Sequence, residues 1–314
     1  MDYLPTRSLS DGDTIGIFSP SEWLGDNRPE RVHAGAEMLE RQGFKVQYAR
    51  NYLCQDTIRA GTVEQRTSDI SELLDRPDVD ALLATWGGKA CNHLVSKLPY
   101  PKFATAQKPI IGFSDTCVLS NAISAKTGLV TFYGPNIAGK LDESTWSDFG
   151  WLRKDFPWST TNLIGSVQNE GALTLQRGRV SGRLVGGNLN CFVLGNVLSE
   201  IDLSHFDGGI FLWEDLGLVP RQIDQFLTAL VNCGFMDRIG GMVVGDFFQE
   251  ESHEWLRSDP LESVMHALRD YDFPIVYAPN FGHRSLENPA FPIGATCTLD
   301  ADDLTLVAED QILT

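Results

Sequence analysis

The sequence predicts an α/β protein whose N-terminal part is a doubly wound parallel sheet, followed by a second domain of mixed α+β type. Two observations predict the parallel sheet. Strand-length segments alternate with helical patterns up to residue 141, and those segments are almost continuously apolar, as strands buried on both faces are. A chain of 314 residues is long enough for two domains.

The strands predicted in the N-terminal part are short, and each is followed by a helix or a glycine-containing turn. These strands are 14–18, 45–49, 80–85, 109–113 and 129–133. Helices are predicted at 31–43, at 64–74, near 91–97 and after Ser114. Because ligands bind at the carboxyl edge of such sheets, we expect Ser19, Gly87, Gly88 and Ser114 to lie along one edge.

The rest of the chain is predicted as a linker, 142–171, and a β-rich domain, 172–314, with the first domain ending at residue 141. The linker is rich in Trp, Ser, Thr and Asn, which favours an active-site loop. Strands are predicted at 173–176, 180–185, 209–214, 242–247 and 274–278, with a closing hairpin formed by 295–300 and 303–308. Helices are predicted after Asn188, at 222–235 and from 259 onwards.

Composition argues against several classes of protein. The formal net charge of −17 argues against nucleic acid or an anionic membrane surface as a partner. No apolar run of about 18 residues and no apolar signal segment is present, so we expect a cytoplasmic protein without a membrane span. The 6 scattered cysteines are typical of free thiols, and the dispersed histidines predict no metal or other cofactor.

Ser114 stands between an apolar strand and a helical pattern that ends at Gly128. A sharp turn there would expose the hydroxyl and direct the first helical amides at a reacting group, as in a nucleophile elbow. The sequence lacks the second glycine of G-x-S-x-G, and Ser114 or Asp115 could instead be a simple N-cap. Cys117, one turn further on, is predicted to be a core thiol rather than a rival nucleophile.

A serine nucleophile needs a base and an orienting acid. His283 lies in a Gly-His-Arg turn after a strand, and Glu214 ends an apolar strand. The alternatives are an exposed loop histidine and a carboxylate that caps a turn. The order Ser, Glu, His is one of the known triad orders. The amides of Gly88 and Asp115 would form an oxyanion hole, although two glycines also fit a plain tight turn.

Residues 134–140, GPNIAGK, match the first seven positions of a P-loop. Leu141 stands where a P-loop needs Ser or Thr to bind magnesium, and Pro135 removes a loop amide. The segment also follows the fifth predicted strand rather than the first. We therefore do not predict nucleotide hydrolysis.

Several motifs resemble the LD-carboxypeptidase family of serine peptidases, in matching order over nearly the whole chain. They include GDTIGIFSPS, LLATWGG, KPIIGFSDTCVLSNAISAKTGLVTFYGP, GRLVGGNLN, FLWED and APNFGHRSLENPAFPIG. Within the family, TGLVTFYGP and GRLVGGNLN are most similar to the microcin C immunity branch. That branch cleaves an amide between a peptide or amino acid and a nucleotide, whereas the other branch removes the terminal D-alanine of murein tetrapeptides.

The resemblance implies a flavodoxin-like N-terminal domain, a β-rich C-terminal domain, a site between them and a homodimer. It implies Ser114 as nucleophile, Glu214 as acid and His283 as base, with oxyanion-hole amides at Gly88 and Asp115. The expected chemistry is hydrolysis, without a cofactor or metal, of a small peptide or aminoacyl-nucleotide. Murein tetrapeptide hydrolysis is one alternative, and non-catalytic binding of a small ligand in the same cleft is another.

The sequence departs from the family pattern at 89–91, in the 142–171 segment and at 284–287, which concerns the substrate more than the chemistry. Asn188 is one candidate for substrate binding. The basic candidates for an anionic substrate are Lys89, Arg183, Arg221 and Arg284. In the immunity branch an aromatic side chain in the region of 142–171 stacks on the nucleotide base, so Trp151 and Trp158 are the candidates for that contact.

Overall fold

The computed structural model describes residues 3–25, 28–139, 149–165, 171–247, 259–285, 288–309 and 311–314. It contains two mixed sheets, of six and seven strands, whose buried side chains join in one hydrophobic core. This architecture confirms the predicted α/β fold class. No helix in the described ranges is both long enough and apolar enough to cross a membrane.

The first sheet is built mainly from the N-terminal half of the chain. Its strands are β1 (Thr14–Phe18), β2 (Lys45–Tyr48), β3 (Ala81–Ala84), β4 (Ile110–Gly112), β5 (Thr131–Tyr133) and β11 (Phe291–Ile293). They lie in the order β11-β5-β4-β3-β1-β2, and β1 to β5 pair in parallel. The order 2-1-3-4-5 is that of flavodoxin-like folds, in which ligands bind where β1 and β3 diverge.

Helices connect these strands. They are α1 (Arg28–Arg41), α2 (Val63–Asp75), α3 (Tyr100–Ala106) and α4 (Cys117–Thr127). The helix predicted near 91–97 is instead two 3-10 turns, Cys91–His93 and Val95–Lys97, and α3 follows as a separate element. Leu98 is extended, with a ψ of 141°, because the residue before a proline is disfavoured in the helical region.

The second sheet has parallel strands at its centre and antiparallel strands at both edges. Its strands are β6 (Leu173–Gln176), β7 (Arg179–Asn188), β8 (Ile210–Glu214), β9 (Gly241–Asp246), β10 (Ile275–Gly282), β12 (Thr296–Asp300) and β13 (Thr305–Ala308), in the order β13-β12-β7-β8-β9-β10-β6. The helices are α5 (Leu189–Phe192), α6 (Pro220–Asn232) and α7 (Pro260–Ala267). β12 and β13 form the predicted closing hairpin.

β11 connects the two halves of the chain. It lies within the segment predicted as the second domain, yet it pairs antiparallel with β5, with Phe291 opposite Tyr133 and Ile293 opposite Thr131. Its three residues are too few to show a periodic pattern, and Pro292 is tolerated because β11 is an edge strand. The C-terminal half therefore contributes strands to both sheets.

Candidate active site

Ser114 lies at a sharp turn between β4 and α4. Its φ is 60°, in the left-handed region that residues other than glycine rarely occupy, and it begins a single 3-10 turn, Ser114–Thr116. A β-carbon at Gly87 would lie 2.8 Å from the Ser114 β-carbon, so only glycine lets the loop after β3 pass this close. This strained strand-to-helix turn has the geometry of a nucleophile elbow.

The structure brings Ser114, His283 and Glu214 together in that order. His283 Nε2 lies 3.1 Å from Ser114 Oγ, and His283 Nδ1 lies 2.6 Å from Glu214 Oε2. The same carboxylate oxygen accepts the backbone N–H of His283 at 3.0 Å, which fixes the imidazole from two directions. Glu214 is completely buried at the end of β8, and His283 directly follows β10.

Tyr133 joins the turn at Ser114 to the buried carboxylate, a role that no sequence pattern indicates. Its hydroxyl donates to Glu214 Oε1 at 2.7 Å and accepts the backbone N–H of Ser114 at 3.2 Å. Burial, reinforced by the charge of Glu214, raises the pKa of Tyr133 well above its ordinary value, so the phenol stays protonated and remains a donor. Its ring stacks on Phe113, which also contacts the His283 ring, with 4.9 Å between centroids in each pair.

Replacing Tyr133 with phenylalanine is expected to lower kcat by about 10- to 100-fold with little change in KM. The substitution leaves the Ser114 amide without its acceptor and removes the shorter of the two side-chain donors to Glu214 Oε1, at a cost of about 1–3 kcal/mol. Steady-state kinetics and chemical denaturation of the Tyr133→Phe protein measure both effects. An unchanged kcat would show that Tyr133 only fills space. Tyr277→Phe is the matched control, because that tyrosine does not line the cleft.

The side chain of Asp115, rather than only its amide, organises the neighbouring loop. Its buried carboxylate accepts the backbone N–H groups of Ala90 and Cys91, both at 2.8 Å, and the hydroxyl of Ser21. Arg66, also buried, donates to the carbonyl of Ala90 at 3.0 Å. The loop after β3 is therefore fixed relative to the turn at Ser114.

Gly88 lies in this fixed loop and has a φ of 139°, which favours glycine. A β-carbon there would be 2.4 Å from Glu22 Cγ, so a larger residue would displace the loop after β1 as well. Gly88 and Ser114 line the same cleft, as expected for two residues at the carboxyl edge of the sheet.

The cleft beside Ser114 has a volume of about 550 Å³, within the usual range for small-molecule sites. Lys89 and Asn188, two of the residues predicted to bind the substrate, both line it. The Asn188 side chain is already engaged, because its Oδ1 accepts the N–H of Cys191 at 3.1 Å and its Nδ2 lies 3.4 Å from Glu214 Oε1. Asn188 therefore supports the buried carboxylate and caps α5.

Arg284 does not line this cleft. Its guanidinium forms a bidentate ion pair with Asp246, with distances of 2.9 Å and 2.6 Å. The prediction that Arg284 contacts the substrate is therefore not supported by its position. The reason is that Asp246 ends β9 beside the turn that carries Arg284, a pairing that the sequence does not reveal.

Trp151 and Trp158 are buried away from the cleft, which corrects the prediction that one of them stacks on a nucleotide base. Their exposed fractions are 0% and 5%, and both rings pack on Phe132 of β5. An irregular, aromatic-rich segment suggests a surface loop, but here the aromatic residues cover an apolar strand and extend the core. Residues 142–148 and 166–170 of the predicted loop lie outside the described residues.

Arg183 and Arg221 also lie off the cleft, in β7 and α6, so Lys89 is the one of the four basic candidates that lines it. The cleft arginines are instead Arg28 and Arg31, at the start of α1. The signal that could have found them is their place after the first strand, at the carboxyl edge, with a spacing of one helical turn.

The P-loop-like segment, residues 134–140, supports the neighbouring strand through Asn136. Asn136 Oδ1 accepts the backbone N–H of Phe113 at 2.9 Å, and its Nδ2 donates to the Phe113 carbonyl at 3.3 Å, so it braces the end of β4. Lys140 lies outside the described residues. Cys117 is fully buried, and burial raises the pKa of its thiol well above its ordinary value, as expected for an inert core thiol.

The chain is similar to known proteins in both of its halves. Residues 15–134 match the model of the LD-carboxypeptidase N-terminal domain, and residues 181–299 match that of the LD-carboxypeptidase C-terminal domain. A putative carboxypeptidase of Streptomyces coelicolor is 31% identical, over 98% of this chain and 97% of that protein. A probable murein peptide carboxypeptidase of Bacillus subtilis is 28% identical, over 98% and 95% of the two chains.

The microcin C7 self-immunity protein MccF of Escherichia coli is 27% identical, over 97% of this chain and 95% of that protein. The solved structure of MccF in complex with aspartyl sulfamoyl adenosine matches the fold with a TM-score of 0.83 and 25% identity, covering 99% of this chain and 100% of that one. Both domain models match, and the relatives are similar over nearly the whole of both chains. The chain therefore belongs to the LD-carboxypeptidase family.

Proposed function

We propose that this protein is a serine peptidase that hydrolyses an amide bond in a small peptide or in a peptidyl- or aminoacyl-nucleotide. The observation that carries the proposal is the chain of contacts from Ser114 Oγ to His283 at 3.1 Å and from His283 to Glu214 at 2.6 Å. A hydroxyl, an imidazole and a buried carboxylate in this order are the parts of a catalytic triad.

In the proposed mechanism Ser114 Oγ attacks the amide carbonyl while His283 Nε2 takes the hydroxyl proton. Glu214 accepts a hydrogen bond from the Nδ1–H group of His283, so that Nε2 carries no proton and can act as the base. The Glu214 carboxylate also stabilises the imidazolium that forms. His283 then protonates the leaving amine. Water, activated by the same imidazole, hydrolyses the acyl-enzyme.

The amides of Gly88 and Asp115 are the proposed donors to the oxyanion of the tetrahedral intermediate. Their support is that Gly88 lies in the loop that the Asp115 carboxylate fixes, beside the strained turn at Ser114. Donors that are already in place when charge develops are worth about 3–4 kcal/mol each.

The relatives support two substrate classes. The complex of MccF with aspartyl sulfamoyl adenosine favours an amide between an amino acid and a nucleotide, and the cleft is large enough for such a molecule. The name of the Bacillus subtilis relative favours the alternative, removal of D-alanine from a murein tetrapeptide. A homodimer and a cytoplasmic location stay predictions of the sequence.

The proposal is tested by incubating the purified protein with aspartyl sulfamoyl adenosine and, separately, with an L,D-tetrapeptide that ends in D-alanine. Chromatography of the products is expected to show aspartate and sulfamoyl adenosine from the first substrate. Cleavage of the tetrapeptide alone would replace the proposed substrate class by the alternative. Calorimetric binding of either compound, with no product from either, would favour the non-catalytic binding protein.

A further inference from the structure

A second cluster of functional groups lies in the cleft, apart from Ser114 and its partners. The guanidinium carbons of Arg28 and Arg31 lie 4.5 Å and 5.5 Å from the centroid of the Trp86 ring. All three side chains line the same cleft as Ser114. Trp86 directly precedes Gly87, so the cluster is attached to the loop that flanks the turn at Ser114.

The two guanidinium groups of the cluster are held in place by contacts that do not neutralise their charge. Arg28 donates to the carbonyl of Trp23 at 3.4 Å, and both arginines stack on the indole. Within the described parts of the chain, neither forms an ion pair with a carboxylate. The charged groups that line the cleft are three cations, Arg28, Arg31 and Lys89, and two carboxylates, Glu22 and Asp215, whereas the whole chain has a net charge of −17.

Two effects oppose this arrangement when nothing is bound. Two like charges one helical turn apart repel each other, and cations in the first turn of a helix oppose the helix dipole. Cation–π contact with the shared ring acts against both effects and holds the two guanidinium groups side by side. A bound anion would remove both penalties, because the planar guanidinium matches the oxygens of a carboxylate or phosphate in pairs.

We infer that Arg28 and Arg31, oriented by Trp86, form an anion subsite that binds a carboxylate or phosphate group of the substrate. The inference rests on the proposed function, since it names the chemistry that the substrate presents to one part of the proposed catalytic cleft. Trp86 is a positioning residue in this subsite, because it sets the direction of both guanidinium groups.

The test uses two pairs of probes that differ only in the anionic group: adenosine monophosphate with adenosine, and L-alanyl-D-alanine with its C-terminal amide. Calorimetric affinities are measured for the wild-type protein, for Arg28→Met/Arg31→Met and for Arg41→Met/Arg50→Met. The last variant removes two charges from exposed positions off the cleft and is the matched control. Methionine keeps an unbranched apolar side chain beside Trp86 and removes the charge.

We expect the wild type and the control to prefer the anionic member of at least one pair by 10- to 100-fold. We expect the cleft variant to lose that preference while it binds the neutral member as before. The probe pair whose preference is lost in the cleft variant identifies the bound anionic group as a phosphate or a carboxylate. Arg28→Lys/Arg31→Lys keeps both charges without the planar fork and is expected to retain part of the preference, which provides a second, well-folded variant.

Equal binding of the anionic and neutral probes by the wild type, or an unchanged preference in the cleft variant, would overturn the inference. Because these affinities do not depend on turnover, the outcome is separable from that of the hydrolysis assay. If the cleft variant loses the preference but the wild-type protein hydrolyses neither substrate, the anion subsite is supported and the peptidase activity is refuted.

Discussion

Replacing Ser114 with alanine is expected to lower kcat by roughly 10⁶-fold, the loss typical of a serine nucleophile. The substitution removes one oxygen, the atom that lies 3.1 Å from His283 Nε2, and leaves the β-carbon in place. Alanine must adopt the same positive φ as serine, so the strain of the turn is unchanged and the fold should be retained. KM should change little, because the cleft keeps its shape.

The measurement is single-turnover and steady-state hydrolysis of the better substrate, with enzyme prepared from a host that carries no wild-type copy. Ser68→Ala is the matched control, since that hydroxyl lies on α2, donates to the Gln65 carbonyl of the same helix and does not line the cleft. Full activity of the Ser114→Ala protein would eliminate the nucleophilic mechanism. A loss of activity in Ser68→Ala would show instead that the assay reports protein quality.

Replacing Glu214 with glutamine is expected to lower kcat by about 10⁴-fold, as in other triads in which the acid becomes an amide. Glu214 Oε2 accepts two N–H groups of His283 and Oε1 accepts the Tyr133 hydroxyl, so every contact needs an acceptor. An amide has one acceptor oxygen. If its NH₂ faces His283, Nδ1 must accept, the proton moves to Nε2, and Nε2 cannot take the proton of Ser114.

The same mismatch should reduce stability by about 1–3 kcal/mol, because one buried donor is left without a partner in either orientation of the amide. Kinetics and urea denaturation of Glu214→Gln measure the two effects. Asp215→Asn is the informative contrast, because that carboxylate accepts the backbone N–H groups of Asn190 and Leu216, whereas Glu214 accepts both N–H groups of His283. Equal losses in the two variants would argue against a specific role for Glu214.

The parallel sheet could be predicted from local signals, and the meeting of three distant side chains could be predicted from such signals together with the resemblance to the LD-carboxypeptidase family. Apolar strands that alternate with helices dictate a doubly wound sheet, and residues just after such strands share one edge. His283 directly follows a strand, Ser114 comes two residues after one, and Glu214 is the last residue of one. Their distances then depend only on how the two sheets pack.

What the sequence did not reveal depends on contacts between residues far apart in the chain. Tyr133 reads as an ordinary strand residue until its hydroxyl is seen between two members of the site. Trp151 and Trp158 read as loop aromatics because nothing local shows that they cover β5. Arg284 looked available for a ligand because its partner, Asp246, lies 38 residues away.

Because β11 pairs with β5, the N-terminal half of the chain depends on the C-terminal half to complete its sheet. Among the described strands, β11 is the one that pairs with the outer edge of β5, and it comes from beyond His283 in the chain. A fragment that ends after β5 would present an unpaired, apolar edge, the kind of surface through which sheets of separate molecules associate. The two halves are therefore not interchangeable modules. Their joining protects the chain from aggregation and, in the same step, delivers the imidazole to the hydroxyl.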